Sequence, residues 1–298
     1  MSIPELQLES WSHQGSIAQS SATYSAIKNT LEASATPYVD KSYKVSLQGS
    51  YGNDTNIYSE SDVDIVIQLN DCFQYDVSNL PDDQKTLFHS AHPTNATYTH
   101  VDFKRDVLSV LKDAYDTDVN PCDKAIKIVE NANRRNADVI AAVQFRRYYK
   151  FNSINDQSYD EGICFYDSAG QQIANYPKQH SENLTRKHKE TSQWFKPMAR
   201  VFKNMRGKLI DDKMITSGVA PSYYLEGLLY NVPVDKFGTS YAETFVNCIN
   251  WIQKADKSKF VCANEQYYLL RENCPVTWQT AKCDEYLSAV IKLWNNWA

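Results

Sequence analysis

Residues 43–69 read YKVSLQGSYGNDTNIYSESDVDIVIQL, and this stretch decides the fold. Apolar and polar residues alternate over 43–48 and again over 62–69, which predicts two β-strands. The glycine-containing polar segment 49–53 predicts a turn or the start of a short helix. The chain is therefore expected to form a strand, a tight turn, a polar loop and a second strand.

Asp62 and Asp64 belong to the second of these strands. Side chains two residues apart in a strand point to the same face, so the two carboxylates are predicted to lie about 6–7 Å apart, opposite Val63 and Ile65. Neighbouring carboxylates repel each other, and a divalent cation between them converts that repulsion into binding. Hard oxygen ligands of this kind suit Mg²⁺ or Mn²⁺.

Gly49 and Ser50 precede this acidic pair. A turn of this composition leaves backbone amides and the Ser50 hydroxyl to face a phosphate, with Gln48 beside them. A phosphate site followed by a metal site suits nucleotidyl transfer, because metal ions join triphosphate oxygens to protein carboxylates and to the attacking hydroxyl. For an isolated Asp-x-Asp pair, exposed acids at a strand edge are the alternative.

The remaining pattern predicts an α+β part followed by a mainly helical part. The first part contains predicted helices over 13–35, 81–89 and 102–115, strands at 126–128 and 137–145, and a hairpin of 162–167 with 172–176. The second part contains predicted helices over 194–209, 221–229, 240–253 and 280–297. We therefore predict two domains, residues 1–177 and 178–298.

The composition is that of an ordinary globular protein. With 298 residues, 42% hydrophobic and 22% charged, the chain is long enough for a large core and too apolar for a disordered segment. Its 7 cysteines are scattered, with no CxxC spacing, and are expected to be reduced. No apolar run is long enough to cross a bilayer and no signal peptide is recognisable, so we expect a cytoplasmic location and no membrane partner.

Charge is distributed unevenly along the chain. The net charge of −5 argues against a general nucleic-acid coat, and no stable nucleic-acid partner is expected. Residues 51–90 hold eight acidic side chains and one basic one, whereas residues 178–213 hold ten basic and four acidic. This split is compatible with a metal-binding part and a phosphate-binding helix that together accept single nucleotides.

The segment from Gly49 to Asp64 resembles the hG[GS]x(9–13)DxD signature of the DNA polymerase β-like nucleotidyltransferases. In that superfamily a third acid on a later strand completes the metal site and acts on the attacking hydroxyl. Asp138, which opens the apolar strand ADVIAAVQFRR, matches this position. Asp102 is the second candidate, although an acid at the start of a predicted helix is also expected as a cap.

The order of motifs is similar to that of the bacterial CD-NTases, the cGAS/DncV-like enzymes that make cyclic oligonucleotide signals in CBASS anti-phage defence, and most similar to the CdnE clade. The motifs are GSYGN, SDVD, ADV to FRRY, NYPKQHSEN, VFKNMR and PSYYLEGLLYNVP. The resemblance covers about residues 13–295. It implies a polymerase β-like core of mixed sheet and helices, a helical carboxyl-terminal lobe and an active site in the cleft between them. It also implies two Mg²⁺ ions, held by Asp62, Asp64 and Asp138.

The resemblance also implies roles for residues of the second lobe. In these enzymes a lysine on the first long helix and a serine on the next helix hold the triphosphate, and an adjacent aromatic residue stacks on a base. Lys203, Ser222 and Tyr223 match these positions. Ser222 also lies in the first turn of a predicted helix, where free amides favour an anion. A solvated helix face for Lys203 and a core position for Tyr223 are the alternatives.

Asn183 matches the position at which CdnE-like enzymes select the base, where asparagine is associated with uridine. A side-chain amide offers both a donor and an acceptor to the O4 and N3–H edge of uracil. Ser181, followed by Glu182 and Asn183, also fits a helix N-cap that would need no ligand. His180 and His188 lack ligand partners at metal-binding spacing and are expected to be structural or surface residues.

These features predict a Mg²⁺-dependent nucleotidyltransferase that converts UTP and ATP, or UTP alone, into cyclic UMP-AMP or cyclic di-UMP with release of pyrophosphate. A downstream effector would sense the product. A nucleotidyltransferase that acts on a separate acceptor, such as a tRNA end, a small molecule or a protein, is the second hypothesis. The third is an inactive nucleotide-binding module, against which the presence of all three acids argues.

Overall fold

The residues described in the computed structural model, 2–15, 17–58 and 62–297, divide between two units. The sheet unit consists of residues 18–48 and 62–176, and the helical unit of residues 1–17, 49–61 and 177–298. The chain therefore passes between the units after residues 17, 48, 61 and 176. The division into functional domains at residue 177 stays a prediction.

The elements follow one another in a mixed order. The helices are α1 (Glu5–Ser12), α2 (Ala18–Leu31), α3 (Gly49–Gly52), α4 (Asp82–Ala91), α5 (His100–Tyr115), α6 (Pro177–Glu190), α7 (Phe195–Asp211), α8 (Ser222–Tyr230), α9 (Tyr241–Lys254) and α10 (Thr280–Asn295). The strands are β1 (Tyr43–Gln48), β2 (Val63–Asp76), β3 (Val119–Pro121), β4 (Ile126–Ile128), β5 (Ala137–Ser153), β6 (Asp156–Tyr166) and β7 (Gln172–Asn175).

All these strands belong to one mixed sheet with the order β1-β2-β5-β4-β3, and β6 joins β5 to β7. β2 and β5 run parallel, with Val63 opposite Ala137, and the other pairs are antiparallel. Val66 and Gln68 of β2 are buried as fully as Ile65 and Ile67 on the opposite face. Both faces are covered, as is usual for central parallel strands, so the alternation in the sequence understates their burial.

The predicted strands are confirmed, and three of them are longer than expected, including β6, which begins at Asp156 and not at residue 162. β2 continues past residue 69 to Asp76, and β5 continues past residue 145 to Ser153 before it turns back as β6. These extensions contain more polar and aromatic residues, and most of their side chains are only partly buried or are exposed. Tyr148 and Phe151 of β5 form a small core with Phe88 of α4 and with Leu80.

The helical unit has its own apolar core, to which α7 contributes Met198, Phe202 and Met205. The four helices predicted after residue 194 are confirmed as α7 to α10, within two residues at most boundaries. The helix predicted over 13–35 is shorter, at Ala18–Leu31, and Ser16 within that prediction lies outside the described residues.

Two helices were not predicted, and the reason differs from one to the other. α1 is short and has only two leucines and one tryptophan among its eight residues. α6 buries mostly polar side chains, namely His180, Asn183 and Lys187 beside Leu184, so it has no apolar periodicity. A search for an apolar stripe cannot detect such a helix.

The seven cysteines are free thiols, in agreement with the prediction. Among the helices of the described ranges, none combines the length and apolar character needed to span a bilayer.

We expect Gly162→Ala to lower the free energy of unfolding by about 3 kcal/mol, through overpacking. A Cβ atom at Gly162 of β6 would lie 2.5 Å from the carbonyl oxygen of Asn175 and 2.9 Å from the Tyr176 ring. Neither β7 nor the buried ring can withdraw without loss of packing. Urea denaturation followed by circular dichroism measures the effect.

Gly170→Ala, in the turn between β6 and β7, is the matched control. A Cβ atom there meets no described atom within 4 Å, but φ is +77°, so only the left-handed backbone cost of about 1 kcal/mol applies. Equal losses in the two variants would contradict the steric explanation.

Candidate active site

Four residues of the sheet unit lie in one row across neighbouring strands. Gln48 of β1 is opposite Asp64 of β2, Asp64 is opposite Asp138 of β5, and Asp138 is opposite Lys127 of β4. Opposed residues in neighbouring strands point to the same face, and the strands are about 4.8 Å apart. The register therefore brings two carboxylates together, with an amide on one side and an ammonium group on the other.

Asp62 lies just before β2 and belongs to the same group. Its side chain is 46% exposed, and its Oδ2 atom is 3.8 Å from Lys127 Nζ. Burial raises the pKa of Asp138 above its ordinary value, while the attraction of Lys127 opposes this shift and the repulsion of Asp62 adds to it. The three acids predicted from the sequence are thus electrostatic neighbours at the start of β2 and β5.

The donor chemistry of this group fits a Mg²⁺ site. Within the described ranges, no three acidic, histidine or cysteine side chains already form a metal-binding cluster, and Lys127 balances part of the negative charge. Mg²⁺ is usually held by one or two carboxylates together with substrate phosphates, so a complete protein cage is not required. The Gln48 Oε1 atom is buried and accepts no hydrogen bond from any residue that the structure describes, which leaves a further hard oxygen in the row.

Asp102, the second candidate for the third acid, has a structural role. Its carboxylate accepts hydrogen bonds from the backbone N–H and the hydroxyl of Thr99, in a capping box at the start of α5. It also pairs with Arg105 at 3.2 Å. The helix-cap interpretation is therefore confirmed.

Gly49 and Ser50 form the first residues of α3, which confirms the predicted turn or short helix. Gly49 has a φ of +69°, a left-handed conformation that glycine adopts without strain. The backbone N–H of Asn53 donates to Gly49 O at 3.1 Å, and that of Thr55 donates to Ser50 O at 2.9 Å. This turn belongs to the helical unit and ends in a polar segment of the same unit.

That segment, residues 53–56, is polar and nevertheless mostly buried. Asp54 has a φ of +55°, its carboxylate is 2.9 Å from Lys196 Nζ, and its carbonyl accepts a hydrogen bond from Arg200 at 2.6 Å. Asn56 exchanges backbone and side-chain hydrogen bonds with Gly15. The segment is therefore held by charged and hydrogen-bonded contacts in place of apolar packing.

Glu226 of α8 is the acceptor at the centre of these contacts. Its Oε1 atom accepts from Lys203 Nζ at 2.7 Å and from the Thr55 hydroxyl at 2.5 Å. Its Oε2 atom is 2.7 Å from His180 Nε2 and 3.4 Å from Asn53 Nδ2. Burial alone would raise the pKa of Glu226, but the attraction of Lys203 and the contact with His180 outweigh it, and the pKa is well below its ordinary value.

Lys203 is fully buried, so the solvated-face alternative is wrong. Besides Glu226, its ammonium group donates to the carbonyl of Thr55 at 3.1 Å and to its hydroxyl at 2.9 Å. All three N–H groups therefore have acceptors within the protein. The contact of Lys203 with a triphosphate stays a prediction.

Ser222 and Tyr223 open α8, as the sequence predicts. The Ser222 hydroxyl accepts a hydrogen bond from Arg206 at 3.1 Å. The Tyr223 ring stacks on His180 with a centroid distance of 4.6 Å and an interplanar angle of 18°, and its hydroxyl accepts from Asn264. His180 is thus a buried structural residue, and the base-stacking role of Tyr223 stays a prediction.

Asn183 lies inside α6, which begins at Pro177. The alternative of an N-cap at Ser181 is therefore wrong. The Asn183 side chain is buried, and its amide donates to the carbonyl of Ala263 at 2.7 Å. This contact fixes the direction of the amide.

Three residues of these groups were missed in the sequence. Lys127 lies in a three-residue strand whose pairing the sequence does not reveal. Glu226 is the acid of the otherwise apolar and aromatic helix SYYLEGLLY, and an acid in such a helix indicates a buried partner. Thr55 gives no signal of its own, since a threonine in a polar loop is ordinary.

Comparison with known proteins identifies the family. Residues 182–295 match the cGAS/DncV-like nucleotidyltransferase C-terminal helical domain. A cyclic UMP-AMP synthase from Rhodothermus marinus is 40% identical over 100% of this chain and 99% of its own. The solved structure of the Rhodothermus marinus CdnE c-UMP-AMP synthase with Apcpp and Upnpp has a TM-score of 0.88, covering 99% of this chain and 98% of that one. The chain belongs to the CdnE clade of bacterial CD-NTases.

This CdnE-clade protein is therefore a nucleotidyltransferase of the cyclic dinucleotide synthase class, and its predicted α+β fold with a helical carboxyl-terminal domain is confirmed. Nucleotidyltransferases of this family are typically metal-dependent. A cyclic nucleotide synthase CdnE01 from Staphylococcus haemolyticus is 36% identical over 100% of both chains. The structure of an Elizabethkingia meningoseptica CdnE with GTP and Apcpp has a TM-score of 0.76 at 28% identity, covering 98% of each chain.

We expect Glu226→Gln to lower the free energy of unfolding of this CdnE-clade protein by about 3–5 kcal/mol at neutral pH, because Lys203 would keep a buried charge without its partner. The difference should shrink in acid. The lowered pKa of Glu226 means that its ionisation stabilises the folded state above the ordinary value of 4.5, and this contribution is lost as the pH falls below it.

Urea denaturation of both proteins at pH 7 and at about pH 3.5 tests this expectation. Groups remote from residue 226 titrate alike in both proteins, so the difference reports residue 226 together with its direct partner His180. A destabilisation that is the same at the two pH values would show that the charge of Glu226 is not what stabilises the fold.

Proposed function

We propose that this CdnE-clade enzyme condenses UTP with ATP, or with a second UTP, into a cyclic dinucleotide and releases pyrophosphate. The observation that carries the reaction is the register of β2 and β5, which puts Asp64 beside Asp138 with Asp62 close by. The uridine part of the proposal is supported by Asn183 and by the cyclic UMP-AMP synthase of Rhodothermus marinus at 40% identity.

Asp62, Asp64 and Asp138 are proposed to hold two Mg²⁺ ions. Bound there, the ions would neutralise the charge of the triphosphate and favour ionisation of the attacking hydroxyl. Asp138 is also proposed to accept the proton of the ribose hydroxyl. Its position opposite Asp64 supports this role, because a carboxylate beside the metal site lies within reach of a hydroxyl that the metal would hold.

Gln48, Gly49 and Ser50 are proposed to position the phosphates through the unused acceptor of Gln48, through backbone amides and through the Ser50 hydroxyl. In the helical unit, Ser222 and Lys203 are proposed to contact the triphosphate. Lys203 has an acceptor for each of its three N–H groups, so a bound phosphate would replace one of those acceptors.

Tyr223 and Asn183 are proposed to recognise the base. The Tyr223 ring supplies a flat aromatic surface in a direction set by His180. One N–H of the Asn183 amide is taken by Ala263, and the other N–H with Oδ1 matches the acceptor and donor of the uracil edge. Adenine offers its donor and acceptor in the reverse order, so an amide whose direction is fixed by Ala263 favours uridine over adenosine.

Product identity is the part on which relatives differ. The Rhodothermus marinus relative is a cyclic UMP-AMP synthase, whereas the Elizabethkingia meningoseptica relative, 32% identical over 99% of this chain and 98% of its own, is a cyclic dipurine nucleotide synthase. We propose a uridine-containing signal that a downstream effector reads in CBASS anti-phage defence.

Incubation with all four ribonucleotides and Mg²⁺ should yield a phosphatase-resistant product whose mass contains uridine, because the enzyme supplies both donor and acceptor hydroxyl from nucleotides. The double variant Asp62→Asn with Asp64→Asn should lose product formation by at least about 1000-fold, since the ligands for the metal are removed. Mass spectrometry of the product and thermal shift with Mg²⁺ and a non-hydrolysable nucleotide measure the two effects.

Asp71→Asn, an exposed position on β2, is the matched control and should keep both product formation and the Mg²⁺-dependent thermal shift. Turnover retained in the double variant would overturn the metal assignment. A requirement for an added acceptor would overturn the synthesis of a cyclic dinucleotide from nucleotides alone.

Asn183→Ala should reduce the preference for UTP over ATP about tenfold, because the paired donor and acceptor for uracil are lost. Competition between UTP and ATP, read as the ratio of products, measures this preference. Asn231→Ala removes a comparable amide that donates to the carbonyls of Gly227 and Val261, and should leave the ratio unchanged. An unchanged ratio in Asn183→Ala would refute the assignment.

A further inference from the structure

Contacts from three separate chain segments meet at the carboxylate of Glu226. The donors are Asn53 and Thr55 of the segment after the glycine-serine turn, His180 of α6, and Lys203 of α7. A carboxylate has about four lone-pair sites, and here four donors use them. A buried carboxylate whose lone pairs are all used holds its donors in one arrangement.

One arm of this network leads to the glycine-serine turn. The Thr55 hydroxyl and the Asn53 amide donate to Glu226, while the backbone N–H groups of the same two residues donate to Ser50 O and Gly49 O. Asn53 and Thr55 therefore connect the turn directly to the buried carboxylate of Glu226. A shift of Glu226 or Thr55 would be passed on to Ser50 through these backbone bonds.

The other arm leads to the aromatic residue on α8. His180 Nε2 contacts Glu226, and the His180 ring stacks on Tyr223. Asn264 holds the Tyr223 hydroxyl from the opposite end at 3.0 Å. The plane of the Tyr223 ring thus depends on a histidine whose orientation Glu226 sets.

We propose that Glu226 is a positioning residue for nucleotidyl transfer, which keeps the phosphate-facing turn at Gly49–Ser50 and the Tyr223 ring in a fixed relation. Glu226 is fully buried, and its two oxygens are occupied by protein donors. It therefore acts through Thr55 and His180. This inference rests on the proposed roles of Ser50 and Tyr223.

Thr55→Val is the principal test, because it removes one hydroxyl from the network and keeps the shape of the side chain. In the full-length protein without nucleotide, we expect faster hydrogen exchange at the backbone N–H groups of residues 53 and 55. In assays of product formation we expect kcat/KM to fall about tenfold or more, since small displacements of binding groups have effects of this size. Thr55→Ser, which retains the hydroxyl, should restore most of the rate.

Thr244→Val is the matched control. Thr244 is a fully buried threonine of the same unit, and its hydroxyl donates to the carbonyl of Gly238 at 2.6 Å, outside the network. We expect it to lower stability to a similar degree and to leave both kcat/KM and the exchange at residues 53 and 55 unchanged. The comparison separates loss of position from loss of stability.

The inference is overturned if Thr55→Val behaves as Thr244→Val does in exchange and in rate, or if Thr55→Ser is as slow as Thr55→Val. Glu226→Gln should produce the same local exchange and a larger loss of rate, but Thr55→Val carries the test if that variant does not fold. The exchange data do not depend on the product. If the wild-type protein makes no cyclic dinucleotide, the proposed function fails. The exchange comparison still shows whether Thr55 holds residues 53 and 55 in place.

Discussion

The parallel pairing of β2 with β5 is the constraint on which the sheet unit depends. The paired residues are buried on both faces over most of the shared length, and the register forces Asp64 beside Asp138. Like charges in directly opposed positions destabilise a sheet. Lys127, one strand further along the row, offsets part of this repulsion. A sheet selected for stability alone would place apolar residues or opposite charges there, so the row of acids lowers stability and is consistent with the proposed metal site.

In the helical unit, buried charges of opposite sign are paired, in contrast to the like charges of the sheet. Glu226 and Lys203 leave water completely, and each finds every partner that its geometry allows. An apolar pair of similar volume would be about as stable in many proteins. A leucine and a methionine, however, could not hold a threonine hydroxyl, a histidine and an asparagine amide at once. The ionic pair therefore specifies the path of residues 53–56, which apolar packing would leave loose.

The sequence predicts the elements that depend on a local residue pattern. It does not predict contacts between residues that are far apart in the chain. The alternation around Asp64 predicts β2, and Pro221 predicts the start of α8. The register that joins Asp138 to Asp64 follows from no local signal, and only the family resemblance pointed to it. α6 was missed because burial there involves His180 and Asn183. The sequence leaves a solvated position open as the alternative for Lys203, because nothing near it in the chain reveals Glu226, twenty-three residues later.

The four crossings of the chain between the units bear on how the protein is made. Segment 53–56 leaves the ribosome early, and the helices that receive its buried polar groups, α6 to α8, end only at Tyr230. At the usual rate of synthesis, about 5–20 residues per second, these groups remain without their partners for roughly 10–30 s. During that interval the buried polar groups of segment 53–56 lack their partners in α7 and α8, so this set of contacts is complete only after α8 has been made. A truncated chain that ends before α8 would lack Glu226, and with it the buried acceptor for the Thr55 hydroxyl.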